Sequence, residues 1–312
     1  MPVKHGMPLR PIALSLLSIV TLVGACGGAA TSPTPGGSTG TVSTGQSIVG
    51  CEVTKSTPGT AVGVNGGPYV HQVAVGDSTD GVTVTNLRQV LDHASVPDGV
   101  RLPDGSIGIY YVNGETDGVW LARVSGSTVT PVSAITVDGI FRPEGIVDPD
   151  ATAVGGKVRL TYLNGFGPPG SRRAMCIAES SDGLTFTTIA NAWDLGVGAT
   201  QTDPSLLQLP DGTWLMAISD GQTTRLGRST NGLTFTEYQH FTAGGVPELG
   251  RTADGRTRLY VCEAGVTSYV SADNGVTWSR ERVVVPGGAL GRMIVCDPSW
   301  VPSAQLFVFK TQ

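Results

Sequence analysis

The feature that most constrains this chain is a strand–turn–strand outline that occurs five times. Its clearest copy runs from Thr202 to Gly221, TDPSLLQLPDGTWLMAISDG. An acidic residue beside a proline opens it, Pro210-Asp211-Gly212 makes the turn, and an apolar run closes it. The other copies begin at Ser95 (SVPDGVRLPDGSIGIYYVNG), Val147 (VDPDATAVGGKVRLTYLNG), Val246 (VPELGRTADGRTRLYVCEAG) and Cys296 (CDPSWVPSAQLFVFKTQ). Their opening prolines, Pro97, Pro149, Pro204, Pro247 and Pro298, lie 52, 55, 43 and 51 residues apart. That spacing fits a four-stranded propeller blade and not a helical repeat. The apolar residues alternate or run in short blocks rich in Val, Ile, Thr and Tyr, with turns between them, and show no helical period.

A second unit falls between the hairpins. Ser78 to Val84 reads STDGVTV, Ser180 to Phe186 SSDGLTF, Ser229 to Phe235 STNGLTF, and Ser271 to Trp278 SADNGVTW. Asp or Asn in such a turn accepts backbone N–H bonds, and Gly takes the positive φ the turn needs. These segments resemble the Asp-box of sialidase-like propellers, which implies outer turns remote from the funnel and a structural role for Asp80, Asp182, Asn231 and Asp273. The first such turn precedes the first hairpin, and the last hairpin has none after it. The 15 residues from 298 to 312 and the 30 from 67 to 96 together make about one repeat. The expected fold is therefore an all-β, five-bladed propeller over 67–312, its closing blade shared by the two ends of the chain, so that no free edge remains.

Residues 1–25 read as a targeting segment. Lys4 and Arg10 precede an apolar run from 11 to 23 that is short for a membrane span. It ends in Leu22-Val23-Gly24-Ala25-Cys26, which looks like a bacterial lipobox. That resemblance implies lipidation of Cys26 and an extracytoplasmic protein anchored to the cell envelope by acyl chains. Residues 26–66, rich in Gly, Ser, Thr and Pro, read as a tether. The other cysteines, Cys51, Cys176, Cys262 and Cys296, allow two bridges in three connectivities. Cys262–Cys296 is preferred, because neighbouring blades would bring the two together. Net charge is −5 and no basic stripe is present, which argues against nucleic acid. A monomer is expected.

In a propeller the residues opening each innermost strand converge at one mouth of the axis. Here they are acidic: Asp98, Asp148 with Asp150, Asp203, Glu248 and Asp297. Such residues also cap turns beside proline, yet every blade supplies one. Crowded, buried carboxyls split their pKa values, so that one donates a proton while another acts as base or nucleophile, as glycosidic cleavage requires.

On the segments IVDPDA, QTDPSLLQLPDGTWLM and VPELG, the chain resembles the five-bladed glycoside hydrolases of the arabinanase and xylosidase type, family 43 and its relatives. The resemblance implies Asp148 as base, Asp203 as modulator and Glu248 as acid, with no cofactor required. It departs from that pattern in that Glu248 follows its proline, and Asp98 is an alternative base. Asp98, Asp150, Asp297, Arg142 and Arg292 would be further funnel residues. An acidic mouth also suits calcium, which takes oxygen ligands. Phe141-Arg142-Pro143 faintly resembles a sialidase segment, but a third rim arginine is not evident and an acidic mouth repels an anionic sugar. The remaining alternative is a propeller that binds glycans or proteins without turnover. Trp120, Trp193, Trp214 and Trp300 would stack on sugars or pack between blades, and Trp278 would pack.

Overall fold

The computed structural model describes residues 48–52, 66–140, 146–166 and 170–312. The leader and the lipobox with Cys26 lie outside the described residues, as does Arg142.

The hairpins do become five antiparallel sheets. Blade 1 comprises Ala94–Arg101, Ile107–Asn113, Val119–Ser125 and Thr128–Ala134. Blade 2 comprises Ile146–Val154, Lys157–Asn164, Arg172–Ser180 and Thr185–Val197, with the short Thr136–Val137 added in parallel at its outer edge. Blade 3 runs through Thr202–Gln208, Trp214–Asp220, Thr223–Ser229 and Thr236–Phe241. Blade 4 runs through Gly245–Arg251, Thr257–Glu263, Gly265–Ser271 and Ser279–Pro286. Blade 5 takes Val295–Val301 and Leu306–Thr311 from the C-terminal end, then Gln72–Asp77 and Thr85–Asp92 from the N-terminal part. Gln72 pairs with Thr311 and Asp77 with Leu306, so ladder hydrogen bonds close the ring.

Period-2 alternation explains the packing, because successive side chains in a strand face opposite neighbours. In the last strand, Leu306 and Val308 pack towards blade 1 with Ile109 and Tyr111, while Phe307 and Phe309 pack towards blade 4 with Tyr260 and Val285. Five such clusters fill the five seams. Tyr110, Leu121, Leu160 and Phe186 lie between blades 1 and 2. Met175, Ile177, Trp214 and Phe235 lie between blades 2 and 3, and Leu215, Phe241, Leu259 and Tyr269 between blades 3 and 4. Burying each large apolar side chain contributes about 1.5–3 kcal/mol relative to exposure.

The four Ser-x-Asp/Asn turns join third to fourth strands in blades 2 to 5, on the outer half of each sheet. In each, the serine Oγ accepts a glycine N–H and the Asp or Asn oxygen accepts the threonine N–H: 2.9 and 2.8 Å at Ser180 and Asp182, 2.7 and 2.8 Å at Ser271 and Asp273. The Thr185 N–H leads the bonds that pull Asp182 down to about 2. The glycine carbonyl of each turn then accepts a side chain from the preceding blade: Tyr110 on Gly183, Arg159 on Gly232, Tyr238 on Gly275 and Tyr260 on Gly81.

Both cysteine pairs are bridged. Cys262–Cys296 joins blades 4 and 5 across 34 residues, as expected. Cys51–Cys176 spans 125 residues and pins the 48–52 segment to blade 2, where Asn164 and Asn191 donate to Gly50 and Val49.

Candidate active site

Each innermost strand is kinked at its proline. The residue before it has φ between 46° and 53° at Val96, Asp148, Asp203, Val246 and Asp297. A register shift follows in the pairing to the next strand in every blade. A left-handed residue is costly for L-amino acids, most of all for β-branched valine, and persists only where the surrounding structure enforces it. Fivefold repetition shows that this is how the blade turns into the axis.

Despite this kink, residues on both sides of the prolines line the axis, forming two layers. The first contains Asp148, Asp203 and Asp297, with Val96 and Val246. The second contains Asp98, Asp150 and Glu248, with Ser205 and Ser299. All six acids line one axial cavity of about 20 Å³, room for about one water molecule. The expected convergence of the blades' acids is thus present, but Asp148 and Asp203 lie in one layer and Glu248 in the other.

The second layer is a closed chain of hydrogen bonds from blade to blade. Asp98 accepts the Ala151 N–H at 2.6 Å, Asp150 the Leu206 N–H at 3.1 Å, and Ser205 the Leu249 N–H at 2.9 Å. Glu248 accepts from the Trp300 backbone, and Ser299 accepts the Gly99 N–H at 3.0 Å, completing the circle. Serine performs this task in two blades, so the fastening itself needs no charge. Ser205 also donates to Glu248 at 2.8 Å. One oxygen each from Asp98, Asp150 and Glu248 lie within 4.8 Å of one another. This oxygen-only set suits a hard cation.

The first layer is differently partnered. Asp148 accepts the Asp203 N–H at 3.3 Å, and Thr202 donates to Asp203 at 2.5 Å. Lys310, on the second strand of blade 5, places its ammonium 2.5 Å from Asp297. Burial pushes Asp148 up to about 6. Burial, then the charges of Asp148 and Asp297, raise Asp203 well above the carboxylate range. In the second layer burial raises Asp98 to about 6 and, with neighbouring acids, Asp150 and Glu248 well above their ordinary values. Proton donor and acceptor forms therefore coexist near neutral pH.

A groove of about 450 Å³ opens at the first-layer end, walled by Gln222, Glu263, Met293 and the Cys262–Cys296 bridge. It shares Val246 with the axial cavity, and its size lies in the range of ligand pockets, roughly 300–1,000 Å³. A second opening, about 280 Å³, reaches Asp150 and Glu248 from the other end. Arg292 does not join the funnel. It follows the turn Ala289–Gly291 and donates to Gln89 on the outermost strand of blade 5. Trp214 and Trp300 are buried between blades, and Trp214 lies under the Arg159 guanidinium. Sequence reasoning missed Lys310, although a lone lysine in the apolar run LFVFKT was its signal, and the serine members of the second layer.

No protein-family model matches the chain, and no curated protein matches it. Among solved structures, the family-43 glycoside hydrolase from Xanthomonas citri complexed with xylose superimposes with a TM-score of 0.53 at 13% identity, covering 70% of this chain and 80% of that one. The α-L-arabinofuranosidase from Clostridium thermocellum gives 0.52 at 13% identity over 67% and 78%. A protein of unknown function from Dyadobacter fermentans gives 0.50 at 16% identity over 77% and 84%. At these identities the likeness is one of fold: the chain is a five-bladed β-propeller, the architecture of its family-43 glycoside hydrolase neighbours.

Proposed function

We propose that the protein is a glycoside hydrolase acting on extracytoplasmic glycans, tethered to the cell envelope as a monomer through lipidated Cys26. The observation that carries this reading is the first axial layer, where aspartates from three blades meet and burial holds two of them at different proton affinities. Asp203, the more strongly raised, donates the proton to the leaving oxygen. Asp148 is ionised above about pH 6 and acts as base on a water in the axial cavity. The sugar lies in the adjoining groove. Glu248, fastened in the second layer, supports the ring and does not take the acid role the sequence suggested. The solved neighbours named for xylose and arabinofuranose favour pentose-bearing glycans as substrates. A calcium ion would be held by Asp98, Asp150 and Glu248, where it would neutralise the second layer; it enters no step.

Aryl xylosides and arabinofuranosides, with a wider glycan panel, test the proposal. Turnover lost in Asp148→Asn and Asp203→Asn and retained in Glu248→Gln supports it. Turnover lost in Asp148→Asn and Glu248→Gln but only reduced in Asp203→Asn restores the sequence-based assignment. A second reading, glycan binding without turnover, is favoured by the narrowness of the axial cavity; saturable binding with no hydrolysis in any arm would establish it.

A further inference from the structure

The axial cavity has room for about one water molecule, so a sugar ring is recognised outside it. The groove of about 450 Å³ at the first-layer end is the adjoining space. Its walls are the turn at Gly221 and Gln222 of blade 3, the hairpin at Cys262 to Gly265 of blade 4, and the segment from Met293 into blade 5. Gly245 lets blades 3 and 4 close up at its floor, because a Cβ there would lie 2.0 Å from the Gly221 carbonyl oxygen.

Gln222 and Glu263 are the long polar side chains in walls that are otherwise small or apolar. A few placed polar groups in such a concavity fix how a ligand sits. Glu263 ends the second strand of blade 4 and is held from three sides. Tyr269 donates to Oε1 at 2.5 Å, Thr267 donates to Oε2 at 3.1 Å, and an Arg280 guanidinium nitrogen stands 3.5 Å from Oε2. The side chain nevertheless keeps 24% exposure. A carboxylate ordered by its own donors and still open to solvent is a preorganised acceptor for hydroxyl groups. Met293 is 88% exposed at the same groove, and its adaptable thioether chain suits the apolar C–H face of a sugar ring. Among the described residues walling the groove, none is Lys or Arg. Arg280 is engaged with Glu263, Arg292 donates to Gln89, and Lys310 pairs with Asp297. A sugar carboxylate entering here meets Glu263 without a cation to receive it.

We propose that this groove is a subsite for an uncharged sugar unit, with Glu263 as the acceptor that selects ring hydroxyls over carboxylates and Met293 as the platform under the ring. This rests on reading the groove as the place where the substrate lies. Glu263 determines specificity in this scheme and takes no part in proton transfer.

The test uses the full chain labelled with ¹³C-methyl methionine. The Met293 resonance, assigned by its loss in Met293→Leu, reports occupancy of the groove whether or not turnover follows. Xylotriose, arabinotriose and cellotriose are the uncharged probes and trigalacturonate the charged one, titrated into wild type or, where turnover depletes a probe, into Asp203→Asn. At least one uncharged trisaccharide should shift the resonance saturably, with a Kd about tenfold or more below that of trigalacturonate. Glu263→Gln should weaken that sugar by about tenfold or more, as loss of a charge-assisted hydrogen bond implies, and narrow the discrimination. Arg280 is 52% exposed, so the change buries no unpaired charge. Should the variant fail to fold, Gln222→Lys, at an exposed position, brings a cation into the groove and should narrow the gap between the two Kd values by about tenfold. The proposal is overturned if no uncharged probe shifts Met293, if trigalacturonate binds as tightly as the best of them, or if the folded variant's Kd values stay within about twofold of wild type. A saturable shift with no hydrolysis of any probe supports the subsite and defeats the hydrolase reading alone.

Discussion

Replacing Asp98 by asparagine should make the folded protein more stable at neutral pH. Asp98 is buried in the second axial layer, 6% exposed, with Asp150 and Glu248 beside it. Burial lifts it from 3.8 to about 6. Between those values the unfolded chain has released this proton and the folded chain still holds it. The unfolded state binds fewer protons, so stability falls as pH rises through this window and stays lower above it. At about 1.4 kcal/mol per pH unit, Asp98 alone makes the protein about 3 kcal/mol less stable at pH 7 than at pH 4. Asparagine keeps the oxygen that accepts the Ala151 N–H and removes the titration. Urea denaturation of wild type and Asp98→Asn at pH 4 and pH 7, with EDTA present, measures the effect. The two should coincide at pH 4, with the variant ahead by up to about 3 kcal/mol at pH 7. A variant less stable than wild type at pH 7, or a gap independent of pH, would refute the reasoning. Calcium added in place of EDTA should raise the wild-type midpoint at pH 7 and leave Asp98→Asn less affected.

Further expectations concern the seams and bridges. Ser299→Ala leaves the half-buried Gly99 N–H without its acceptor and should cost about 1–2 kcal/mol by chemical denaturation. Tyr110→Phe removes the bond to the Gly183 carbonyl between blades 1 and 2 and should cost about 1–2 kcal/mol, with no change in pH dependence. Replacing Cys51 and Cys176 by serine opens a loop of 125 residues, and the chain-entropy argument gives about 5 kcal/mol; the 34-residue Cys262–Cys296 loop gives about 4 kcal/mol. Thermal melts should rank the two pairs in that order. Cys26→Ala should abolish incorporation of labelled fatty acid and release the protein from the membrane fraction.

The blade count was legible because its signals are local. Proline at each innermost strand, Asp-Gly turns and the Ser-x-Asp units all act within a few residues of themselves. The Cys262–Cys296 bridge was legible because both residues lie on strands the repeat already made neighbours. Cys51 sits in a segment with no repeat to place it, so Cys176 could not be chosen from spacing. That the axial acids converge was legible, but their division into layers was not. Which side of each proline an acid occupies becomes meaningful only once residues two apart are seen to face the same axis. Read that way, Glu248 aligns with Asp98 and Asp150, and Asp297 joins Asp148 and Asp203. Lys310 stayed hidden because its meaning depends on a carboxylate 13 positions earlier, on the adjoining strand. Arg292 was misjudged because position beside an innermost strand does not fix where a long side chain reaches.

The most direct measurement is kcat/KM on the best glycoside for wild type and Asp203→Asn, at the pH optimum of each. Loss of general acid catalysis should lower it by about 10²–10⁴, with the fold retained and a melting temperature no lower than that of wild type. A folded variant that keeps activity within twofold of wild type would contradict the claim that the first-layer aspartates perform the chemistry.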